Sequence, residues 1–263
     1  EEAGLDPAAL PATWDDVRSM CEAVEALGNP LITGWGYNAS SSTLNTTFYP
    51  FLYQAGGRPI SEDGKTATFN SEAGVEALTF IVDLFKKGWS PQEYLQPIDE
   101  GQDPFTQGSQ ALSNHIFAAG VVALRQNVPD MRYAINPVLK HDEQWGFGGM
   151  RSWAVSESSQ NKEAAAALVE FLARPENAKR HGEAFGTFPA LAAAREGIFA
   201  NDEELAGIAS HLEHTFGEQK HKYGRDLMAL VVPQIQAAII GEKEPKQALD
   251  EAAVAVNDLF AKG

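Results

Sequence analysis

The stretch YQAGGRPISEDGKTATFNSEAGVEALTFIVDLFKKG, residues 53–88, places a turn, a strand and a capped helix in immediate succession. Asp63-Gly64 predicts a tight turn, and the residues after it predict a short strand. A helix then begins after Ser71 and ends at Gly88. Its predicted buried face consists of apolar residues at helical spacing: Val75, Leu78, Val82 and Phe85. A strand that leads directly into an amphipathic helix is typical of α/β proteins.

Helical patterns recur along the chain and alternate with short apolar segments. Thr13, with Asp16 three residues later, predicts a capped helix that ends at Gly28. Further helices are predicted at 48–55, 71–88, 105–110, 162–173, 176–185, 190–196, 203–214, 226–240 and 245–261. Short strands are predicted at 110–117, 133–138 and 152–155. This alternation predicts an α/β architecture for the whole chain.

Composition excludes several classes of protein. The chain has 263 residues, 20 Lys+Arg against 36 Asp+Glu, and a formal net charge of -16. This acidity disfavours nucleic-acid binding, which needs a basic surface against the phosphates. The single cysteine, Cys21, excludes a disulfide scaffold. The sequence contains no run of 18 apolar residues, so it predicts no membrane-spanning helix.

No recognisable catalytic motif is present. The sequence contains neither the GxSxG of a nucleophile elbow nor a glycine-rich loop ending in GK[ST]. His211 and His214 have a spacing that two zinc ligands could share, but no third ligand or general base accompanies them. The sequence therefore predicts a protein that is not an enzyme and has no metal and no cofactor.

Several segments, in the same order, resemble extracellular solute-binding proteins of family 1, the maltose-binding-protein-like receptors of ABC importers. They are ATWDDV (12–17), the stretch 53–88, FTQGSQAL (105–112), GFGGMRSWAVSESSQNKEAAAALVEFLARPENA (146–178), GTFPAL (186–191) and IIGEKEPKQALDEAAVAVNDLF (239–260). The resemblance covers about 250 of the 263 residues. It implies the two-lobe, type II periplasmic-binding-protein fold, with the ligand in the cleft between the lobes.

The resemblance also implies a division of the chain. The sequence lacks a counterpart of the family's N-terminal part, which carries the secretion signal and most of the first lobe, so it resembles the C-terminal two-thirds of a receptor. Residues 1–148 are expected to form the main part of the second lobe. Residues 149–205 are expected to be the remnant of the first lobe and to project as a second body. Residues 206–263 are expected to return to the second lobe.

Polar and aromatic side chains cluster in the regions where the family places its ligand contacts. Sugars are recognised by amide, hydroxyl and charged groups together with aromatic rings. The candidate ligand-binding residues are Trp35, Tyr37, Asn38, Asn45, Thr46, His115, Phe117, Met150, Arg151, Thr187, Tyr223 and Arg225. Asn45, His115 and Arg225 are expected to converge on one cleft. The alternative is that these segments are unrelated surface loops.

The leading functional prediction is an extracytoplasmic receptor that delivers a mono- or oligosaccharide to the permease subunits of an ABC importer. It implies a periplasmic or lipid-anchored location, a precursor with a signal peptide, and a monomer at full length. A second prediction is a receptor for a glycerophosphodiester or another phosphorylated polyol, because arginine suits phosphate. Two more distant hypotheses are a scaffold protein and a carbohydrate-acting hydrolase. The hydrolase would need two carboxylates about 5–10 Å apart.

Overall fold

The computed structural model describes residues 2–39, 44–96, 104–114, 118–217 and 221–262. In chain order its α-helices are α1 (Trp14–Glu25), α2 (Phe48–Gln54), α3 (Glu72–Lys86), α4 (Ala118–Asn127), α5 (Lys162–Ala173), α6 (Pro175–Phe185), α7 (Ala192–Arg195), α8 (Glu203–Ala209), α9 (Gly224–Ile239) and α10 (Pro245–Ala261). Its strands are β1 (Thr33–Gly36), β2 (Gln110–Ser113), β3 (Gly146–Phe147) and β4 (Thr215–Phe216). The predicted α/β class is confirmed, with more helix than strand. None of the helices in the described ranges is long and apolar enough to cross a membrane.

The chain divides into two compact units. Unit 1 comprises Glu1–His115, Asn136–Gly148 and His214–Gly263, and unit 2 comprises Ile116–Ile135 and Gly149–Glu213. Unit 2 thus begins its second segment after Gly148, includes Ile116–Ile135 and ends at Glu213. The expected assignment of residues 1–148, 149–205 and 206–263 to two lobes stays a prediction. Val121 of α4 packs in one apolar cluster with Ile198 and Leu205, and this packing assigns α4 to unit 2.

Two pairs of parallel strands lie in unit 1. Strand β1 pairs with β2, with Thr33 opposite Gln110 and Gly36 opposite Ser113. Strand β3 pairs with β4, with Gly146 opposite Thr215. Parallel pairing needs long connections, and both pairs join segments that are far apart in sequence.

Helix α1 shows how local sequence signals become packing. The Thr13 hydroxyl accepts from the Asp16 N–H and the Asp16 carboxylate accepts from the Thr13 N–H, which completes the predicted capping box. Cys21, on the buried face, is fully enclosed. A Cβ added at Gly34 of β1 would lie 2.7 Å from the Cys21 sulfur, so this close approach of helix and strand requires glycine.

The Cys21 thiol is expected to be unreactive in the folded protein. Burial raises its pKa to about 12, and the thiolate is the reactive form. Ellman's reagent should therefore label the native chain on the order of a hundredfold more slowly than the chain unfolded in urea. A Cys21→Ser variant serves as the negative control, because it has no thiol to label. Equal labelling rates in the native and the unfolded chain would contradict the packing of α1 on β1.

Helix α3 is buried over a wider face than the sequence predicts. Val75 and Val82, assigned to the buried face, are half-buried. The fully buried residues include Phe80, Ile81 and Leu84. The reason is that α3 contacts α2 as well as α9 and α10, and a helix packed by neighbours on more than one side has no single narrow stripe.

Several other predicted elements differ from the structure. Residues 152–155, predicted as a strand, have no regular secondary structure, and the strand predicted after Gly64 is reduced to an isolated bridge between Ile60 and Ala67. The predicted helix at 105–110 is a turn, and Gln110 already belongs to β2. The segment 133–138 has no regular secondary structure and pairs with no strand in the described ranges; the Tyr133 hydroxyl bonds Arg125 and Glu204. The predicted helix at 203–214 ends as α8 at Ala209, and a 3-10 helix, Ser210–His214, follows it.

Unit 2 has a small core and much exposed apolar surface. Among the described residues its buried cluster contains Val121, Ile198, Phe199 and Leu205. Helix α5 contributes no buried residue. Large apolar side chains of this unit that are more than a third exposed are Met150, Trp153, Val155, Leu168, Phe171, Phe185, Leu191 and Leu212.

Acidification is expected to destabilise the fold below about pH 4. Hydrogen bonds lower the pKa of six carboxyl groups: Asp16, Asp63, Glu143, Asp202, Asp250 and Glu251. A lowered folded pKa gives stability that is present above the unfolded value and is lost as the pH falls through the folded value. The urea midpoint should therefore stay nearly constant from about pH 7 to 5 and fall from about pH 4 to 2. A constant or rising midpoint below pH 4 would contradict these hydrogen bonds.

Candidate ligand-binding site

The carboxyl ends of β1 and β2 lie side by side, because Gly36 and Ser113 are paired. The chain continues from these ends into Tyr37 and Asn114. In α/β proteins the carboxyl edge of parallel strands is where ligands bind. The candidate site is therefore built up from this edge of unit 1.

A concavity begins directly after β1. It is lined by residues from the segment that follows β1, from the start of α2 and from α9: Tyr37, Ala39, Leu44, Thr47, Phe48, Val232 and Ile235. It has room for about one water molecule, and most of its lining belongs to the hydrophobic core of unit 1, so it marks the edge where β1 ends and is not itself large enough for a sugar. Val232 and Ile235 of α9 belong with the hydrophobic core, as their apolar, helical spacing indicates.

Tyr37 forms a rigid wall of this concavity. It is 1% exposed, and its hydroxyl donates to the Thr47 carbonyl oxygen at 2.5 Å. Its backbone N–H donates to the Ser90 hydroxyl at 3.1 Å. Burial raises the pKa of the phenol, so the group stays neutral. Because its proton is already donated to Thr47 and its ring is enclosed, Tyr37 supports the segment after β1 from inside the core.

Gln236 connects α9 to the segment after β1. Its Nε2 donates to the carbonyl oxygens of Ala39 at 3.3 Å and of Leu95 at 3.4 Å. The Ala39 N–H donates to the Tyr94 carbonyl oxygen at 2.9 Å. These bonds position the two walls of the concavity relative to each other within unit 1.

The remaining candidates from the N-terminal half of the chain have different environments. Trp35 is 1% exposed in the hydrophobic core, against Tyr37 and Phe51. Asn38, Asn45 and Thr46 are half-buried beside the concavity. His115 and Phe117 lie outside the described residues. The convergence of Asn45, His115 and Arg225 therefore stays a prediction.

Tyr223 and Arg225 lie at the start of α9. Tyr223 is half-buried against the rings of His221 and Phe260. Arg225 is exposed in the first turn. The α-helix rises 1.5 Å per residue, so Arg225 lies about 10 Å along the axis of α9 from Val232. Arg225 therefore does not line the concavity.

The other candidates belong to unit 2. Met150 is 69% exposed, and Arg151 is exposed as well. Thr187 is half-buried, and its N–H donates to the Gly182 carbonyl oxygen at 3.0 Å after the left-handed Gly186.

Carboxylate and histidine groups in the described ranges form no metal site, since no three His, Cys, Asp or Glu residues there are grouped to hold an ion. His211 and His214 lie on the 3-10 helix instead of an α-helix. Residues three apart share one face of this tighter helix too, so the two histidines have the predicted spacing without a third ligand in the described ranges.

The chain matches a known family over most of its length. A family model described as "Bacterial extracellular solute-binding protein" matches residues 1–179. Because this is more than half of the 263 residues, the chain belongs to that family of extracellular solute-binding proteins. The predicted family and the extracytoplasmic location that goes with it are confirmed.

Individual relatives share the fold at low sequence identity. An ABC transporter solute-binding protein from Thermotoga lettingae bound to alpha-D-tagatose superposes with a TM-score of 0.80 and 23% identity, over 98% of this chain and 67% of that one. The sugar-binding protein MalE of Xanthomonas citri gives a TM-score of 0.78 and 19% identity, over 99% and 66%. The sn-glycerol-3-phosphate-binding periplasmic protein UgpB of Escherichia coli K12 is 24% identical over 288 aligned positions. The chain spans 63% of the length of UgpB. These similarities confirm the predicted periplasmic-binding-protein fold.

Proposed function

We propose that the chain is the solute-binding part of a receptor that delivers a carbohydrate to an ABC importer, with membrane permease subunits as its partners. The observation that carries the proposal is the match to extracellular solute-binding proteins, together with a fold shared with receptors that bind sugars. Asn38 and Asn45 follow the carboxyl end of β1, and amide groups at such an edge suit the hydroxyl groups of a sugar.

Family membership favours binding without chemistry. The matched family consists of extracellular solute-binding proteins, whereas a glycoside hydrolase would need a general acid and a second carboxylate about 5–10 Å apart. The family match supports a transport receptor over a hydrolase.

A phosphorylated polyol is the second candidate ligand. Arg225 is exposed in the first turn of α9, where a guanidinium and the positive end of the helix dipole both favour an anion. UgpB, by its name, binds sn-glycerol 3-phosphate. The location of Arg225, about 10 Å along the helix from Val232, makes this the weaker candidate.

The domain assignment is part of the same proposal. Unit 1 is the main part of the second lobe, and unit 2 contains the remnant of the first lobe. The exposed apolar side chains of unit 2, with α5 burying none of its own, support this assignment, because such a surface normally packs against further structure. We propose that the protein acts as a monomer at the length of its relatives.

Calorimetric titration tests the proposed function. The probes are maltose, D-tagatose and sn-glycerol 3-phosphate, each added to this chain and to the protein at the length of its relatives. We expect a neutral sugar to bind, and to bind far more tightly to the longer form, because a cleft gains affinity from both of its walls. Binding of the phosphate ester alone, or cleavage of maltose, would overturn the proposal.

A further inference from the structure

Helix α2 connects the candidate site to the segments around β3 and β4. Asn45 and Thr46 directly precede the helix, and Phe48 in its first turn lines the concavity after β1. At its other end, Tyr53 contacts β4 and Gln54 contacts the residue before β3. The helix is about 10 Å long, and most of its residues are buried.

Strands β3 and β4 lie at two points where the chain passes between the units. The unit boundary follows Gly148, one residue after β3, and the chain returns at His214, one residue before β4. The two strands are paired in parallel, and the Gly148 N–H donates to the Phe216 carbonyl oxygen at 2.9 Å. One ladder in unit 1 therefore fixes both points, so a contact that restrains β3 also restrains β4.

Gln54, the last residue of α2, holds the segment that precedes β3. Its Nε2 donates to the Trp145 carbonyl oxygen at 2.7 Å, and its Oε1 accepts from Trp14 Nε1 at 2.6 Å. Its backbone carbonyl oxygen accepts from the Glu143 N–H at 2.9 Å. Turning the buried amide over would put its NH₂ group against the Trp14 N–H, so these contacts allow one orientation. They fix the backbone of 143–145 to the end of α2.

A second set of contacts holds the Trp145 side chain. The Glu143 carboxylate accepts from Trp145 Nε1 at 2.5 Å and from Arg58 Nη2 at 3.0 Å. The Arg58 guanidinium lies over the Tyr53 ring, 4.8 Å from its centroid, and the Tyr53 ring stacks on Phe216 with centroids 4.2 Å apart. The hydrogen bond from Trp145 lowers the pKa of Glu143, so the carboxylate is ionised at neutral pH and both bonds are charge-assisted.

We propose that α2 transmits occupancy of the candidate site to β3 and β4, and that Glu143 is the positioning residue that couples the helix to Trp145. The inference rests on the proposed function, because it needs a sugar at the carboxyl end of β1. Packed protein interiors have low compressibility and transmit strain. A sugar that orders residues 44–48 therefore also restrains the far end of the buried helix, and with it the strands that the helix contacts.

Hydrogen exchange at the Gly148 amide tests the coupling. The probe is maltose or D-tagatose, whichever the parent chain binds in calorimetry, at a saturating concentration. Exchange should slow at 44–48 and, by about tenfold, at Gly148. In Glu143→Ala the dissociation constant should stay within about twofold of the parent value and exchange at 44–48 should still slow, whereas the slowing at Gly148 should be lost.

Two further variants separate the coupling from a general loosening of the segment. Glu143→Gln keeps an acceptor for Trp145 Nε1 at the same size, so it should retain most of the slowing at Gly148. Glu76→Ala is the matched control. Glu76 is also a half-exposed carboxylate that holds this segment, but it does so through His141 Nε2 at 2.9 Å. Glu76→Ala should leave the slowing at Gly148 unchanged.

The possible failures are distinguishable. Slowing at Gly148 that persists in Glu143→Ala would refute the role of Glu143, and an equal loss in Glu76→Ala would show that any weakening of the segment has the same effect. Slowing at 44–48 without slowing at Gly148 in the parent chain would refute the coupling and leave the proposed function standing. Failure of the parent chain to bind any neutral sugar would overturn both proposals.

Discussion

Trp14→Ala is expected to lower the free energy of unfolding of unit 1 by about 3–5 kcal/mol, the usual cost of removing a large buried aromatic side chain. Trp14 is 1% exposed. Its ring stacks on Phe80, with centroids 4.5 Å apart, and on His141, with centroids 4.2 Å apart. Its Nε1 donates to Gln54 Oε1 at 2.6 Å, so the substitution also leaves a buried amide oxygen without that donor.

Urea unfolding followed by far-UV circular dichroism measures this loss. Trp153→Ala is the control, because Trp153 is 57% exposed in unit 2 and exposed positions usually change stability by no more than about 0.5 kcal/mol. Equal losses in the two variants would contradict the assignment of Trp14 to the core.

Arg125→Met is expected to destabilise unit 2 by about 2 kcal/mol, in the range for hydrogen bonds to charged groups. Arg125 Nη2 donates to Asp202 at 2.9 Å, and the guanidinium also pairs with Glu204. Arg125 Nε donates to the Tyr133 hydroxyl at 3.0 Å. These bonds connect α4 to the N-cap of α8. Partial exposure of the ions screens them and keeps the cost moderate.

Hydrogen exchange gives the readout for each unit separately. Amides of α4 and α8 should exchange faster in Arg125→Met, and those of α1 and α3 should not change. Arg180→Met, at an exposed position of α6, is the control. Faster exchange throughout both units would show that the Arg125 cluster does not act locally. The same cluster contributes to the acid sensitivity, since Arg125 holds the pKa of Asp202 below its ordinary value.

Elements with strong local signals could be predicted from the sequence. The capping box of Thr13 and the Pro245 start of α10 act through neighbouring residues, so no tertiary information is needed. The segment at 133–138 failed for the opposite reason. A strand needs a partner strand, which can lie far away in sequence, and the pattern of apolar residues at 133–138 does not report whether such a partner is present.

The candidate site was only partly predictable. Trp35 and Tyr37 stand in a polar stretch that resembles a ligand loop, but β1 lies inside the core and buries both. Asn45 and Thr46 do lie beside the concavity. Periodicity reports which face of a helix is covered and not whether protein or ligand covers it; in α9 the protein core covers Ile235 and packs against Val232.

Hydrogen exchange with and without a neutral sugar tests the central claim most directly. At a sugar concentration 100 times its dissociation constant, binding adds roughly 2.7 kcal/mol of stability. Exchange should then slow at 44–48, at Asn114 and at Val232–Ile235, the segments around the concavity. If exchange slows elsewhere but stays the same at these three segments, or if no neutral sugar changes exchange at all, a sugar site at the carboxyl end of β1 is contradicted.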